Sequence, residues 1–166
     1  YMAEKLSPYY DILFREQGSF NAHEFIIDIR PIKKEYGINE EDVAKRLMDY
    51  GYHAPTMSWP VPGTMMIEPT ESESKRELDQ FCDALISIKK EIEDSVNFSK
   101  SPLKNAPHTA IQIASDNWDH PYTRNEAAFP SEHQKAHKYW PPVSRIDNAY
   151  GDRNLVCTCP TIDEYK

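Results

Sequence analysis

The hydrophobic positions of this chain change period several times, and each change predicts an element. Met2, Leu6, Tyr9 or Tyr10 and Leu13 recur at helical spacing over Met2–Phe14, a run interrupted by Ser7-Pro8 and broken at Gly18. His23–Arg30 then alternates, with Phe25, Ile27 and Ile29 on one side and Glu24, Ile26 and Asp28 on the other. That is a strand with one apolar face, stopped by Pro31. Asn39, with Asp42 three residues on, starts a helix in the manner of a capping box. Val43, Leu47 and Tyr50, flanked by Ala44 and Met48, carry it to Tyr50, where Gly51 closes it. Farther on, Leu78, Phe81, Cys82, Leu85, Ile88 and Ile92 mark the stripe of a helix of about 24 residues. Cys82 on that stripe reads as a small buried hydrophobe.

Between these two helices lies Tyr50–Glu73, which holds Pro55, Pro60, Pro62, Pro69 and Gly63. The pattern predicts an extended segment, a sharp turn at Pro62-Gly63 with positive φ at the glycine, and a return as the short strand Thr64–Ile67. Thr70 and Glu73 then open the next helix. Loops pinned between regular elements often carry sites, and His53, Thr56, Ser58 and Trp59 are placed to line a cleft together. A pinned turn in an ordinary domain has the same look, with His53 a packed turn histidine. Strand, helix, strand and long helix make a small α/β (α+β) domain over 21–95.

After Val96 the pattern changes: seven of the thirteen prolines follow it and long periodicity disappears. His108–Ala114 reads as one more short strand. Thr123/Glu126, Ser131/Gln134 and Ser144/Asp147 each read as a short helix start, the last helix ending at Gly151. Trp118, Phe129, Trp140 and Tyr150 make the segment too aromatic for disorder, yet they are too scattered for a core of its own. Residues 96–166 are therefore expected to form an irregular strap or lid packed on a surface, part of it outside this chain. The first residue is Tyr1, not Met, so 1–20 is expected to be the end of a helix linking from a missing large domain.

Composition narrows the classes. At 166 residues the chain suits one domain, and 39% hydrophobic with 28% charged residues suits a soluble globular one. No apolar run approaches the ~20 residues of a membrane helix. A net charge of -8 with no basic stripe argues against nucleic acid. Cys82, Cys157 and Cys159 are too few for a disulfide framework and suit a reducing compartment. Asn97-Phe98-Ser99 matches the glycosylation triplet, which we read as chance. His133, His137, Cys157 and Cys159 can be drawn as four zinc ligands, but paired zinc cysteines stand roughly two to four residues apart, and no metal is expected. Phosphate loops, Gly-x-Ser-x-Gly and His-Glu-x-x-His are all lacking.

Three stretches are recognisable together. His23-Glu24-Phe25-Ile26-Ile27-Asp28-Ile29-Arg30-Pro31 and Asp42-Val43-Ala44-Lys45-Arg46-Leu47 lead into Tyr52-His53-Ala54-Pro55-Thr56-Met57-Ser58-Trp59-Pro60-Val61 and Gly63–Glu73. With Tyr150–Pro160 at the end, they closely resemble the C-terminal region of the glycine decarboxylase P-protein family. Pro62 is a departure, where a small residue such as alanine is expected; it stiffens the turn.

The resemblance implies the small C-terminal domain of a fold type I pyridoxal-phosphate enzyme: a short, mostly antiparallel sheet with helices on one side. It implies a parent that decarboxylates glycine through a Schiff base to pyridoxal 5'-phosphate and passes the aminomethyl group to the lipoyl arm of the H-protein. The implied partners are the rest of the P-protein and lipoylated H-protein, in a dimeric parent of the bacterial cytoplasm, or of the mitochondrial matrix if eukaryotic, with no nucleic acid or membrane. This chain supplies cleft wall and lid but lacks the cofactor lysine, since Lys33, Lys34, Lys89 and Lys90 read as solvated, and by itself it is expected to bind no cofactor and be inactive. Cys157 and Cys159 are candidates for a redox-sensitive lid, or are packing thiols. A stand-alone binding or regulatory module related to that domain is the alternative, which a cofactor lysine upstream in the same reading frame rules out.

Overall fold

Pro8 decides how the chain begins. The computed structural model describes residues 1–16, 18–95, 97–156 and 160–165, and in it the first helix, α1 (Met2–Leu6), stops at Ser7. Pro8 has no N–H to continue the ladder. The expected single helix over Met2–Phe14 is therefore corrected: after a turn, Asp11–Leu13 forms the edge strand β1. β2 (Phe25–Asp28) pairs with it, Ile12 opposite Ile27.

Pro31 does more than stop β2. It occupies the first turn of an unforeseen helix, α2 (Arg30–Tyr36), where a missing N–H costs nothing, and Gly37 at φ +70° closes that helix. α3 (Glu40–Asp49) carries the reciprocal Asn39/Asp42 capping box. β3 (Thr56–Met57) and β4 (Thr64–Ile67) then complete an antiparallel sheet of order β1-β2-β4-β3, with Ile27 opposite Met65. α4 (Lys75–Asp94) spans 20 residues and is capped by Ser74, whose hydroxyl accepts from the Glu77 N–H. The expected Thr70–Glu73 start is corrected: Thr70 pairs with Ser72 instead, and the hydroxyl–acid signal simply recurs four residues later.

The fold is α/β, with helices packed on one face of a small antiparallel sheet. Ile12, Phe25, Ile27, Met65 and Ile67 meet Leu6, Val43, Leu47, Leu85, Ile88 and Ile92 there. Cys82 is buried among them, and burial pushes its thiol up to about 11. The other side of β2 is not polar as the alternation suggested. Ile26 and Asp28 are buried too, and Asp28 is held by a two-pronged bond from Arg30 (2.8 and 2.6 Å) that lowers its carboxyl below the usual range.

Among the described residues beyond 97 come the short α-helices α5 (Pro102–Asn105), α6 (Ala110–Ala114), α7 (Arg124–Ala128), α8 (Glu132–Ala136) and α9 (Asn148–Arg153), with single 3-10 turns at Phe98–Lys100 and Ile162–Tyr165. The caps at Thr123 and Ser131 are as expected. The strand expected over His108–Ala114 is corrected to α6, because Thr109 and Gln112 make a capping box. The last start is corrected from Ser144 to Asp147, whose carboxylate accepts from the Tyr150 N–H, and α9 runs through Gly151 rather than ending there.

α3 fastens this segment. The buried Arg46 spends all five N–H donors: two on the Glu91 carboxylate (2.9 and 3.1 Å), one on Asp49 (2.9 Å), and one each on the carbonyls of Glu126 and Ala127 (2.9 Å). Those carbonyls are at the end of α7, where a helix leaves acceptors without partners. Arg145 does the same for the end of α5, bonding Leu103 and Ala106 carbonyls (3.2 and 3.0 Å) while it pairs with Asp42 (2.9 Å). Asp42 also holds Lys104. Lys45 reaches the Ile146 carbonyl (2.9 Å). Asp49 accepts from the His108 backbone N–H (2.7 Å) and Nδ1 (2.8 Å), and His108 Nε2 meets the Tyr122 hydroxyl at 2.9 Å.

Candidate functional site

The tight turn after β3 shapes the central stretch. Gly63 has φ +80°, and a Cβ there would lie 2.7 Å from Cγ of Arg30. Only glycine accepts both that backbone and that approach. The turn positions Ser58 at φ +55°, its N–H donating to the Thr64 carbonyl at 2.8 Å. Its hydroxyl donates to Glu40 (2.7 Å) and accepts from the Gly63 N–H (3.1 Å).

Beside this turn is a cleft of about 470 Å³ between α1, the β3–β4 edge and the start of α4. His53 and Thr56 line it; Ser58 and Trp59 do not. Ser58 is committed to the turn, and Trp59 stands 66% exposed. The four residues therefore divide into two that face the cleft and two on the turn. His53 Nδ1 lies 3.0 Å from the Ala54 carbonyl, so Nδ1 is the donor of that bond.

Sequence reasoning missed the rest of the wall. Tyr52 packs edge-on to Phe81 with ring centres 5.2 Å apart, and burial followed by the Glu77 charge raises its hydroxyl pKa. Glu68, Glu73 and Glu77 add carboxylates, while Met2, Pro55, Ile67 and Leu78 supply apolar surface. Periodicity assigns Phe81 and Leu78 to a core stripe and cannot show that the end of the stripe borders a cleft.

This donor set does not fit a phosphate-bearing aldehyde cofactor. Among the described residues lining the cleft there is no lysine or arginine, so neither an imine-forming amine nor a cation for a phosphate is present, and three carboxylates oppose an anion. Lys33, Lys34 and Lys90 are exposed. The reading of Lys89 as solvated is corrected: its side chain is only 13% exposed, because it pairs with Glu93 one turn on at 2.6 Å and lies over the Tyr36 ring.

His133 and His137 lie with ring centres 5.0 Å apart, and His133 Nδ1 is engaged by Gln80 at 3.1 Å. Cys157 and Cys159 are outside the described residues. Among the described residues no cluster of three or more potential ligands could hold a metal, and no helix is long and apolar enough to cross a membrane.

Residues 1–108 match the family model described as glycine dehydrogenase, C-terminal domain. The whole chain is 60% identical over 170 aligned positions to glycine dehydrogenase (decarboxylating) of Pelagibacter ubique, covering 18% of that protein. It is 59% identical to the Vibrio cholerae protein of the same name, again over 100% of the chain and 18% of the relative. For the Prochlorococcus marinus protein the identity is 56%, over 99% of the chain and 17% of the relative. The chain thus spans less than a fifth of the curated relatives it matches. Match and identities agree, and the chain belongs to the glycine dehydrogenase C-terminal domain family.

Proposed function

We propose that this chain works as the C-terminal part of a glycine dehydrogenase (decarboxylating), forming one wall of a cofactor cleft completed by the rest of that polypeptide. The observation that carries this is 60% identity along the entire chain to 18% of such an enzyme. Pyridoxal phosphate belongs, in this reading, to the other domains, where it serves as the electron sink for decarboxylation. The lipoylated H-protein is the second partner, in a dimeric parent of the bacterial cytoplasm.

The chain's own contribution is a stiff surface. The Gly63 turn presents Trp59, and the half-apolar cleft presents His53 and Thr56 beside Glu68 and Glu77. Exposed apolar side chains continue on the distal strap at Val143, Ile146, Leu155 and Val156, which suits a second covering layer.

A chimera tests the reading. The C-terminal 18% of the Vibrio cholerae relative is replaced by this chain, and glycine decarboxylation is compared with that of the truncated relative. Activity restored to within about tenfold of the intact relative supports the proposal. A folded chimera as inactive as the truncation overturns it.

A further inference from the structure

A smaller cavity of about 150 Å³ lies where the strap meets the α/β unit. Its wall comes from three places. Gln80, Asp83, Ala84 and Ser87 stand at i, i+3, i+4 and i+7 on α4 and so share one face of that helix. Tyr50 and Tyr52 come from the end of α3, and Ser131, His133 and Gln134 from the start of α8.

The amide of Gln134 is the unusual group in this wall. The residue is 3% exposed, and its Nε2 donates to the Tyr50 carbonyl at 2.6 Å. Its Oε1 is buried and accepts from none of the described residues. The amide cannot turn to relieve this without losing Tyr50. Gly51 also lies so close that a Cβ there would be 3.1 Å from Nε2 and 3.2 Å from Oε1. A buried acceptor without a donor is costly, and this one belongs to a residue that lines a cavity. Neighbouring donors are spent elsewhere: Gln80 Nε2 on His133 Nδ1 at 3.1 Å, and the Tyr50 hydroxyl on Glu91 at 2.7 Å. Asp83 adds a carboxylate, whose Oδ1 meets Lys5 at 2.8 Å, and that cation is shared with Asp79 at 3.2 Å. The cavity therefore presents acceptors and a negative charge, and it suits a ligand that brings donors.

We propose that the cavity between α4 and α8 is a binding site for a small primary ammonium ion. One N–H of the ammonium goes to Gln134 Oε1, another to the Ser87 hydroxyl, and its charge faces Asp83. Tyr50, Tyr52 and Ala84 leave apolar surface for a short carbon stem. Other ligand classes suit the wall less well. An anion is opposed by Asp83, and a neutral alcohol brings one donor and no charge. Among the described residues no cluster of three or more ligands is present for a metal. The ammonium belongs either to a free amine or to a lysine side chain of a partner. In both cases it bridges α4 and α8 and fastens the strap to the α/β unit.

The test titrates the isotope-labelled chain with methylammonium chloride and follows the side-chain amide signals of Gln134 by NMR. Sodium chloride at equal ionic strength and methanol at equal concentration are the controls. A saturable shift with a midpoint on the order of 10 mM is expected from methylammonium, since so small a ligand has little surface to bind with, and none from the controls. N-acetyl-lysine methylamide forms a parallel arm. Tighter binding there than for methylammonium assigns the ammonium to a partner's side chain, and weaker binding assigns it to a free amine. Asp83→Asn alters an exposed side chain that the fold does not need, and it should raise the methylammonium midpoint about fivefold. A shift that does not saturate, or one that sodium or methanol reproduces, overturns the proposal. So does an unchanged midpoint in Asp83→Asn.

Discussion

The chain up to residue 95 and the strap after residue 97 are held together by different physics. In the first, Ile27, Met65, Leu47 and Leu85 meet across a sheet–helix interface, and stability scales with apolar area removed from water. In the second, short helices are pinned to α3 by cations that satisfy carbonyls at helix ends: Arg46 at α7, Arg145 at α5, and Lys138 at α3 itself. Apolar packing tolerates small adjustments. A polar fastening whose donors are all spent does not, because each lost donor leaves a buried acceptor bare.

The sharpest way to break the comparison is Arg46→Ala. It leaves Asp49 with His108 alone, removes both guanidinium bonds to Glu91 and bares two carbonyls, and should cost about 3–5 kcal/mol in urea unfolding. Amide exchange should accelerate first over 106–138, while β2 and β4 stay protected; uniform acceleration would mean the strap has no separate fastening. Leu85→Ala is the counterpart in the apolar unit. It should cost about 3 kcal/mol and speed exchange in the sheet and strap alike, since the strap rests on that unit.

Gly63→Val probes the turn bearing Trp59. It forces a β-branched residue to φ +80° and into Arg30, and should lower stability by about 1–3 kcal/mol, read as a drop in melting temperature. An unchanged melting temperature would show that the turn is not constrained as described. Ser74→Ala should cost about 1 kcal/mol and Thr70→Ala much less, because only Ser74 caps α4. Equal costs would contradict that assignment.

The smallest effect concerns pH. Burial gives Lys138 a folded value of about 8, below its unfolded value of 10.5, so between about pH 8 and 10.5 the unfolded chain binds the extra proton. Stability therefore gains from Lys138 as pH rises through that window. Lys138→Met should lack that gain, giving a flatter or falling melting temperature where the unaltered chain holds or rises. Parallel profiles would mean that burial does not control this amine.

Much of the first region is legible in order. The Asn39/Asp42 box, the Cys82–Ile92 stripe and the positive φ at Gly63 follow from local rules that act within a few residues. Local rules also misled. Pro31 can stop a strand or start a helix, and the choice depends on β2 leaving the sheet at Ile29. Thr70 and Ser74 offer the same cap by spacing, and the structure uses Ser74, while Thr70 pairs with Ser72. At the candidate site, His53 and Thr56 were legible as loop residues near each other, but Glu77 and Phe81 join them only through the approach of α4.

The strap lay beyond such rules. Its short caps at Thr123 and Ser131 are written in the sequence because a cap needs only three neighbouring residues. Its attachment is not, because Arg46 and Ala127, or Asp49 and His108, are far apart in the chain and share no period. Local propensity and the apolar repeat thus determined the core elements and family likeness of this protein. Tertiary structure alone decided which polar groups on α3 became buried fasteners, since a charged residue is stable inside only where distant donors and acceptors converge on it.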